Sequence, residues 1–406
     1  MASFRLNIKT GSSLALALCA FALGCGSNGA SSGNGSTSGA GSGGQTSGAS
    51  AGGSGAVTAT GGTAGSSQLG GSSGTSNAGA AGTAASAGVA GGAGAGGALA
   101  CPATGTQADP GTDGDGKAQL DAPYVPAPET VMHLNNAPKG QLNGIEVGMP
   151  TTPLVYAGKT QYPGVAQMLK YEYWIYVPAQ YKPGCPAALA VFQDGLHFVG
   201  IDDAKLNTPT VLDNLIASGD IPVTIGLFIN PGEPGDGHYD GQEYQNRHVQ
   251  YDKNDDTYVS FLVNEFLPTN VLGKYDIVTD PDGWEIGGHS SGGIAAFMAG
   301  WYRPDKFRKL LTFDASFPNT QDNNGISLLD DINQSAVKPL RTYLMSGPND
   351  LGGWYPANTQ AAMELGAKSY HYQYKVETST HYPPLAAVTD YANVMRWMWR
   401  GYKLGG

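Results

Sequence analysis

Charge is scarce in this 406-residue chain: Asp, Glu, Lys and Arg together make up 14% of it, and the formal net charge is −11. Basic residues form no cluster, so nothing is available to neutralise a row of phosphates, which excludes nucleic acid as a partner. There is no C-x-x-C pair and no His-rich tract, so no spacing motif points to a metal, and neither metal nor cofactor is expected. The apolar run Leu14 to Leu23 is far too short to span a bilayer. Cysteine is sparse as well, with four in all: Cys19 and Cys25 near the start, then Cys101 and Cys185.

What the chain does hold is glycine, 61 of them, unevenly spread. Residues 1–25 read as an export signal: Arg5 and Lys9 give the positive first part, and the short apolar run follows. The run ends in Ala22-Leu23-Gly24-Cys25, similar to a bacterial lipobox except that Ala22 replaces the usual leucine. Ala20-Phe21-Ala22 offers ordinary cleavage and free secretion instead. The favoured reading is a lipoprotein attached to a membrane only through a lipid anchor at Cys25, because two or more acyl chains give stable attachment. Either way the protein is expected outside the cytoplasm, as a bacterial outer-membrane or cell-surface lipoprotein, or else secreted.

Residues 26–100 are almost entirely Gly, Ser, Ala and Thr. Such a segment can bury too little to offset chain entropy, and reads as a disordered linker with an end-to-end distance of about 50 Å. The folded part is expected over residues 101–406, enough for one large domain with its own core. Within it, Cys101 and Cys185 can bridge the domain's start to the loop before a core strand, two unrelated thiols being the alternative. The acidic stretch Asp109 to Gly116 lacks the carboxylate that closes an EF-hand loop and reads as a solvated turn.

Beyond that turn, short apolar runs alternate with helical patterns. Strands are expected over 171–177, 188–193, 223–229, 283–286, 309–313, 341–345 and 372–376. Helices are expected over 210–217, 257–266, 292–301, 357–365 and 391–399. This alternation predicts an α/β fold, a mostly parallel central sheet with helices on both faces, whose ligands bind beyond the carboxyl ends of the strands.

Gly288-His289-Ser290-Ser291-Gly292 matches G-x-S-x-G, but so do the runs 29–33, 48–52 and 70–74 in the linker. Only the match at Ser290 follows a strand and opens a helix, the context a nucleophile elbow needs. Ser290, not Ser291, is centred, since the residue two before Ser291 is His289. A serine nucleophile needs a base and an acid that orients it. His381, in "ETSTHYPP" after the last predicted strand, is the candidate base, and Asp350, in "SGPNDLGGW", the candidate acid, with Asp314 in "TFDASF" as runner-up. Oxyanion donors should be the N–H of Ser291 and one from Gly195 or Leu196 in "VFQDGLHF". His197 in the same loop is a candidate substrate contact, and Phe198, Tyr239, Trp354 and Tyr382 are the candidate aromatic surface near the site.

Together these stretches resemble bacterial esterases of the enterochelin-esterase-like group, in the larger putative-esterase (esterase D and feruloyl esterase) family. The likeness is carried by "DAPYVPAPE", "YWIYVPAQY", "VFQDG", "NRHVQYDKNDDTYVSFLVNEFLPTNV", "GGHSSGGIAAFMAGWYRPDKFRKLL", "ASF" and "SGPNDLGGWYPAN". It implies an α/β-hydrolase fold, no cofactor, and cleavage of carboxylic esters through an acyl-serine, with Ser290 as nucleophile, His381 as base and Asp350 as acid. It also marks Arg247, in "NRHVQYD", as a residue that binds a substrate carboxylate or braces its loop. Asp314 departs from the family, which more often has a non-ionised residue there. The expected substrate is a small-molecule or polysaccharide ester: glycan-linked, aromatic or siderophore-type. An acyltransferase to a sugar hydroxyl and a non-catalytic binding protein are the alternatives.

Overall fold

The computed structural model describes Cys101 and residues 105–143, 154–161, 168–200, 206–234, 244–320, 323, 325–382 and 385–404. The expected signal and linker, residues 1–25 and 26–100, lie outside the described residues. Twelve described strands occur. They are β1 Gly105–Gln107, β2 Gly116–Gln119, β3 Gln141–Asn143, β4 Leu154–Gln161, β5 Met168–Val177 and β6 Ala188–Gln193. They continue as β7 Thr224–Ile229, β8 Trp284–His289, β9 Lys309–Phe313, β10 Arg341–Ser346, β11 His371–Val376 and β12 Tyr402–Leu404. The helices are α1 Pro128–Val131, α2 Gly195–Phe198, α3 Thr208–Ser218, α4 Tyr244–Tyr251, α5 Thr257–Phe261, α6 Ser291–Tyr302, α7 Leu328–Gln334, α8 Trp354–Ala367 and α9 Leu385–Trp399.

Ten strands make one sheet in the order β2-β11-β10-β9-β8-β6-β7-β5-β3, with β4 also on β5. From β2 to β7 every neighbour is parallel, and β5, β3 and β4 add an antiparallel edge. The central strands β6, β7, β8, β9 and β10 are buried along their whole length, which is why they read as continuous apolar runs. Side chains alternate between two cores. Leu189, Val191, Ile286, Leu310 and Leu344 point toward α6, α7 and α8, whereas Ala190, Phe192, Leu311, Phe313 and Met345 point toward α3 and α9. Residues 262–272 continue α5 as π-helical turns on the first face.

The chain reverses its direction of sheet growth at β6. After β6 it adds β7 on one side, then crosses back to add β8 on the other. The crevice between the carboxyl ends of β6 and β8 is therefore the switch point at which ligands bind in open α/β sheets. The loop holding Gly195 and the turn holding Ser290 are the two sides of that crevice. The disulfide joins Cys101 to Cys185 (S–S 2.04 Å), tying the start of the folded part to the approach to β6. The Asp109 stretch is an exposed turn in which Asp109 Oδ1 accepts from the Gly111 N–H at 2.8 Å. No described helix is long and apolar enough to cross a membrane.

At the opposite end of the sheet, Glu285 of β8 and Lys309 of β9 are register neighbours and both are buried. Burial pushes the Glu285 carboxyl up to about 8, against the pull of Trp399 and the Lys309 ammonium. Burial pushes Lys309 down to about 8, against Asp282 and Glu285. The folded chain thus holds the Glu285 proton more tightly than the unfolded chain, and this contribution is full below pH 4.5 and lost as pH rises through about 8. Glu285→Gln should gain stability relative to the parent as pH rises from 4.5 to 8. The gap should reach on the order of 4 kcal/mol at pH 8, read from urea unfolding midpoints across that window.

Candidate active site

Ser290 stands between the last residue of β8 and the first of α6, half-buried, with φ 63° and ψ −127°. A non-glycine residue holds such angles only where its surroundings over-determine them. Here they do. The Ser290 N–H donates to Phe313 O at 2.9 Å, and Ser290 O accepts from the N–H groups of Ile294 (3.1 Å) and Ser316 (3.2 Å). The flanking glycines are steric necessities. A Cβ on Gly288 would stand 2.2 Å from Gly292 O, and one on Gly292 would stand 2.5 Å from Asp194 Oδ2. Strand, turn and helix start are thereby packed backbone to backbone, and the serine side chain is left at the head of the crevice.

Ser291 is the first residue of α6, so its N–H has no partner within the helix and carries the positive end of the helix dipole. Its hydroxyl donates to Asp252 Oδ2 at 3.2 Å, and Asp252 Oδ1 accepts from Ser316 Oγ at 3.0 Å. His248 Nδ1 contacts the same buried carboxylate. Asp252 therefore clamps the start of α6 to the turn after β9, a role that nothing in the local sequence announces.

Across the crevice, Asp194 follows β6 with φ 52° and opens the short helix α2. Arg247 of α4 forks onto it, Nε donating to Oδ1 at 2.8 Å and Nη2 to Oδ2 at 2.7 Å, and Nη2 also reaches His289 O at 3.4 Å. Arg247 is 7% exposed and its bidentate partner is inside the protein. Of its two expected roles this geometry supports bracing: the guanidinium joins the β6 loop to the end of β8. The Leu196 N–H donates to Asn230 Oδ1 at 3.0 Å and is thus engaged, which corrects its expected role as an oxyanion donor. Gly195 remains as the oxyanion candidate from this loop. A Cβ there would stand 2.5 Å from Ile229 N, so the loop lies flat on β7.

His381 and Asp350 meet. His381 Nδ1 donates to Asp350 Oδ1 at 2.7 Å, and the Asp350 side chain is fully shielded from solvent. Asp350 also accepts from Ser346 Oγ (2.7 Å, to Oδ2) and from the Leu351 N–H (2.7 Å, to Oδ1). Burial alone would raise its carboxyl, but the hydrogen bonds from His381 and Ser346 outweigh that and hold it below the usual range. Asp314, the runner-up, goes the other way. Burial first, then the charges of Asp350 and Glu377, push it well above the usual carboxylate range. It stands beside Asp350 and reaches His289, Oδ2 to Nε2 at 3.5 Å, whereas Nδ1 of His381 is taken by Asp350. Burial, then the neighbouring His381, His197 and Arg247, hold the His289 imidazole well below its ordinary pKa and so neutral. His289 Nε2 also contacts the carbonyl oxygen of His381 at 3.0 Å.

Trp354, expected at the substrate, is 6% exposed and stands edge-on to the His381 ring at 4.8 Å between centroids. That contact makes it a wall against the imidazole. Phe198 is fully buried and stacks on Phe192, which corrects its expected place at the ligand, and Tyr239 lies outside the described residues. His197 stays on the crevice side, 5.8 Å between centroids from Tyr382, which is 51% exposed.

The packing at Gly292 generates a test. Gly292→Ala must push the Asp194 carboxylate out of its fork with Arg247 and disturb the β6 loop it braces, and displacement on the ångström scale costs about 10²-fold in reactivity. Labelling of Ser290 by a fluorophosphonate should slow by about that factor. Gly352→Ala, whose added Cβ meets nothing within 4 Å, should label like the parent.

Comparison with known proteins follows from this geometry. No curated protein matches the chain. Similar solved structures include the enterobactin esterase Fes of Shigella flexneri, at 18% identity and TM-score 0.49, with 62% of this chain and 59% of that chain covered. They also include a ferulic acid esterase at 17% identity and TM-score 0.48, covering 64% of this chain and 99% of that chain. The CE1 ferulic acid esterase of the anaerobic fungus Anaeromyces mucronatus is 13% identical, with TM-score 0.49 and coverages of 66% and 94%. The chain thus spans about three-fifths of the length of the Shigella enzyme. Residues 169–377, more than half of the chain and the stretch that carries the elbow and the Asp350 loop, match the family described as Putative esterase, and the chain belongs to that family.

Proposed function

We propose that the protein is an exported serine carboxylesterase working through an acyl-serine intermediate, with Ser290 as nucleophile, His381 as base and Asp350 as acid. The observation that carries this reading is the strained backbone of Ser290 at the switch point, φ 63°, held by hydrogen bonds on both sides. In the proposed reaction Ser290 Oγ attacks the ester carbonyl carbon while its proton passes to His381 Nε2. Asp350, ionised and bonded to Nδ1–H at 2.7 Å, fixes the tautomer and steadies the imidazolium. The oxygen that gains charge is met by the N–H groups of Ser291 and Gly195. The C–O bond to the alcohol then breaks, and the leaving oxygen takes the proton from His381. Water repeats the sequence on the acyl-serine, which releases the acid and restores Ser290.

The proposed substrates are glycan-linked, aromatic or siderophore-type esters met outside the cytoplasm. The exposed Tyr382 beside His197 supports an aromatic or sugar ring at the rim. The proposed location is a lipid anchor at Cys25 with residues 26–100 as tether, which rests on the signal pattern and the Gly/Ser composition.

A fluorophosphonate probe and a 4-nitrophenyl acetate assay test the chemistry together. The parent should label once and hydrolyse. Ser290→Ala and His381→Ala should each lose about 10⁴-fold or more in kcat, and Asp350→Asn about 10⁴-fold. A parent that neither labels nor hydrolyses ends the enzyme reading, and Asp314→Asn costing more than Asp350→Asn would move the acid role to Asp314. For the anchor, cells fed radiolabelled palmitate should yield a labelled protein that Cys25→Ser abolishes. Unlabelled protein in the medium would instead establish free secretion.

A further inference from the structure

We propose that His289, Asp314 and His381 form a binding site for a borderline transition-metal ion such as Zn²⁺, and that filling it switches the hydrolase off. No spacing motif signals this site, because its ligands come from three separate elements: the end of β8, the residue after β9 and the loop after β11. Parallel pairing sets His289 opposite Phe313, so Asp314 follows directly beside it. One ligand atom from each of the three residues lies within 4.8 Å of the other two. His289 Nε2 and Asp314 Oδ2 are 3.5 Å apart. Ligand atoms at about 2.0–2.1 Å from a tetrahedral zinc stand about 3.4 Å from one another, so this pair already has the spacing. His381 has at most about 1.4 Å to close on this pair, a side-chain adjustment that keeps its bond to Asp350.

Two independent features point to a cation. Asp314 is 3% exposed, its Oδ1 receives no hydrogen bond from a described donor, and the Asp350 and Glu377 carboxyls beside it add negative charge that a cation would offset. His381 gives its Nδ1–H to Asp350 at 2.7 Å, the carboxylate–imidazole arrangement that orients a metal-binding histidine and leaves Nε2 for the ion. The contact of His289 Nε2 with His381 O, at 3.0 Å, is exchanged for the metal bond, with the ring proton carried on Nδ1. Two neutral imidazoles and one carboxylate suit Zn²⁺ or Cu²⁺ and give Mg²⁺ and Ca²⁺, which prefer oxygen, little hold. An ion on His381 Nε2 occupies the lone pair that receives the Ser290 proton. That inhibitory consequence rests on the proposed catalytic role of His381, whereas the binding does not.

The test separates the two. Mature full-length Ser290→Ala protein is titrated with Zn²⁺ against a chromophoric chelator, and with Co²⁺ read by its visible absorption. One equivalent should bind, with the intense absorption of a tetrahedral site. His289→Ala and Asp314→Ala, each placed on Ser290→Ala and checked for folding by circular dichroism, should lose that equivalent. Asp350→Asn should weaken it about 10- to 100-fold, as removal of an orienting partner does. In the parent, Zn²⁺ should inhibit ester hydrolysis, EDTA should restore it, and equal Mg²⁺ should have no effect. Binding that survives both His289→Ala and Asp314→Ala lies elsewhere and overturns the site, as does no binding by folded protein. Zinc bound at these residues without inhibition overturns the switch. A parent that binds zinc yet hydrolyses no ester supports the site and removes only the catalytic reading.

Discussion

The close approach of Gly288 to Gly292 is the contact on which the rest of the site depends. With no Cβ on either, β8 can run straight into α6 through a single residue, and Ser290 is the residue forced into the strained turn. Relax that contact and three things change together. The Ser290 side chain leaves the head of the crevice, the free N–H of Ser291 swings with the helix axis, and Gly292 no longer seats against Asp194. Ser290, the Ser291 N–H and the opposing loop are thus one rigid unit. The strain at Ser290 is balanced by three backbone hydrogen bonds and by a carboxylate, Asp252, that ties the helix start to the β9 turn.

Electrostatics then sorts groups that composition alone leaves equivalent. Three carboxyls crowd the side of the crevice where His381 sits: Asp314, Asp350 and Glu377. Burial raises all three, and only Asp350 has enough donors to reverse it. The result is one carboxyl held below the usual range on the imidazole and two held above theirs, an arrangement that limits charge in a low-dielectric pocket. On the other side, the Arg247 fork balances the buried Asp194 carboxylate. A chain with so few charges spends several of them here, in pairs.

The alternation of apolar runs with helical patterns was enough to read the parallel core, because strands buried on both faces carry only scattered polar positions such as Glu285, Lys309 and Arg341. Strands β5 to β11 fall where that reading put them. The edges were not legible. Strands β1, β2, β3 and β12 are three or four residues long and half-exposed, and they exist only because a distant partner offers a ladder. Helix α4 was missed too, being polar on most of its surface. At the site, the order of Ser290, Asp350 and His381 pointed to residues that the fold does bring to one end of the sheet. The partners of Arg247, Leu196 and Trp354 were not readable, since what a donor or a ring faces is a property of packing. Asp252 and His289 carried no signal at all.

Asp314 shows why position along a strand decides which acid can serve. Its N–H still donates to Met345 O at 2.8 Å, so its backbone belongs to the sheet, and its φ of 46° turns the side chain back along the sheet's end. A residue held in the ladder has the reach of one short side chain, which brings Asp314 Oδ2 to 3.5 Å from His289 Nε2. Asp350 sits four residues past the end of β10, on a turn closed by its own N–H to Gly347 O at 3.1 Å. That extra length carries its carboxylate clear of the strand ends and onto the loop where His381 stands. The two aspartates follow neighbouring parallel strands, and the length of free chain after each one separates the partner of His381 from the partner of His289.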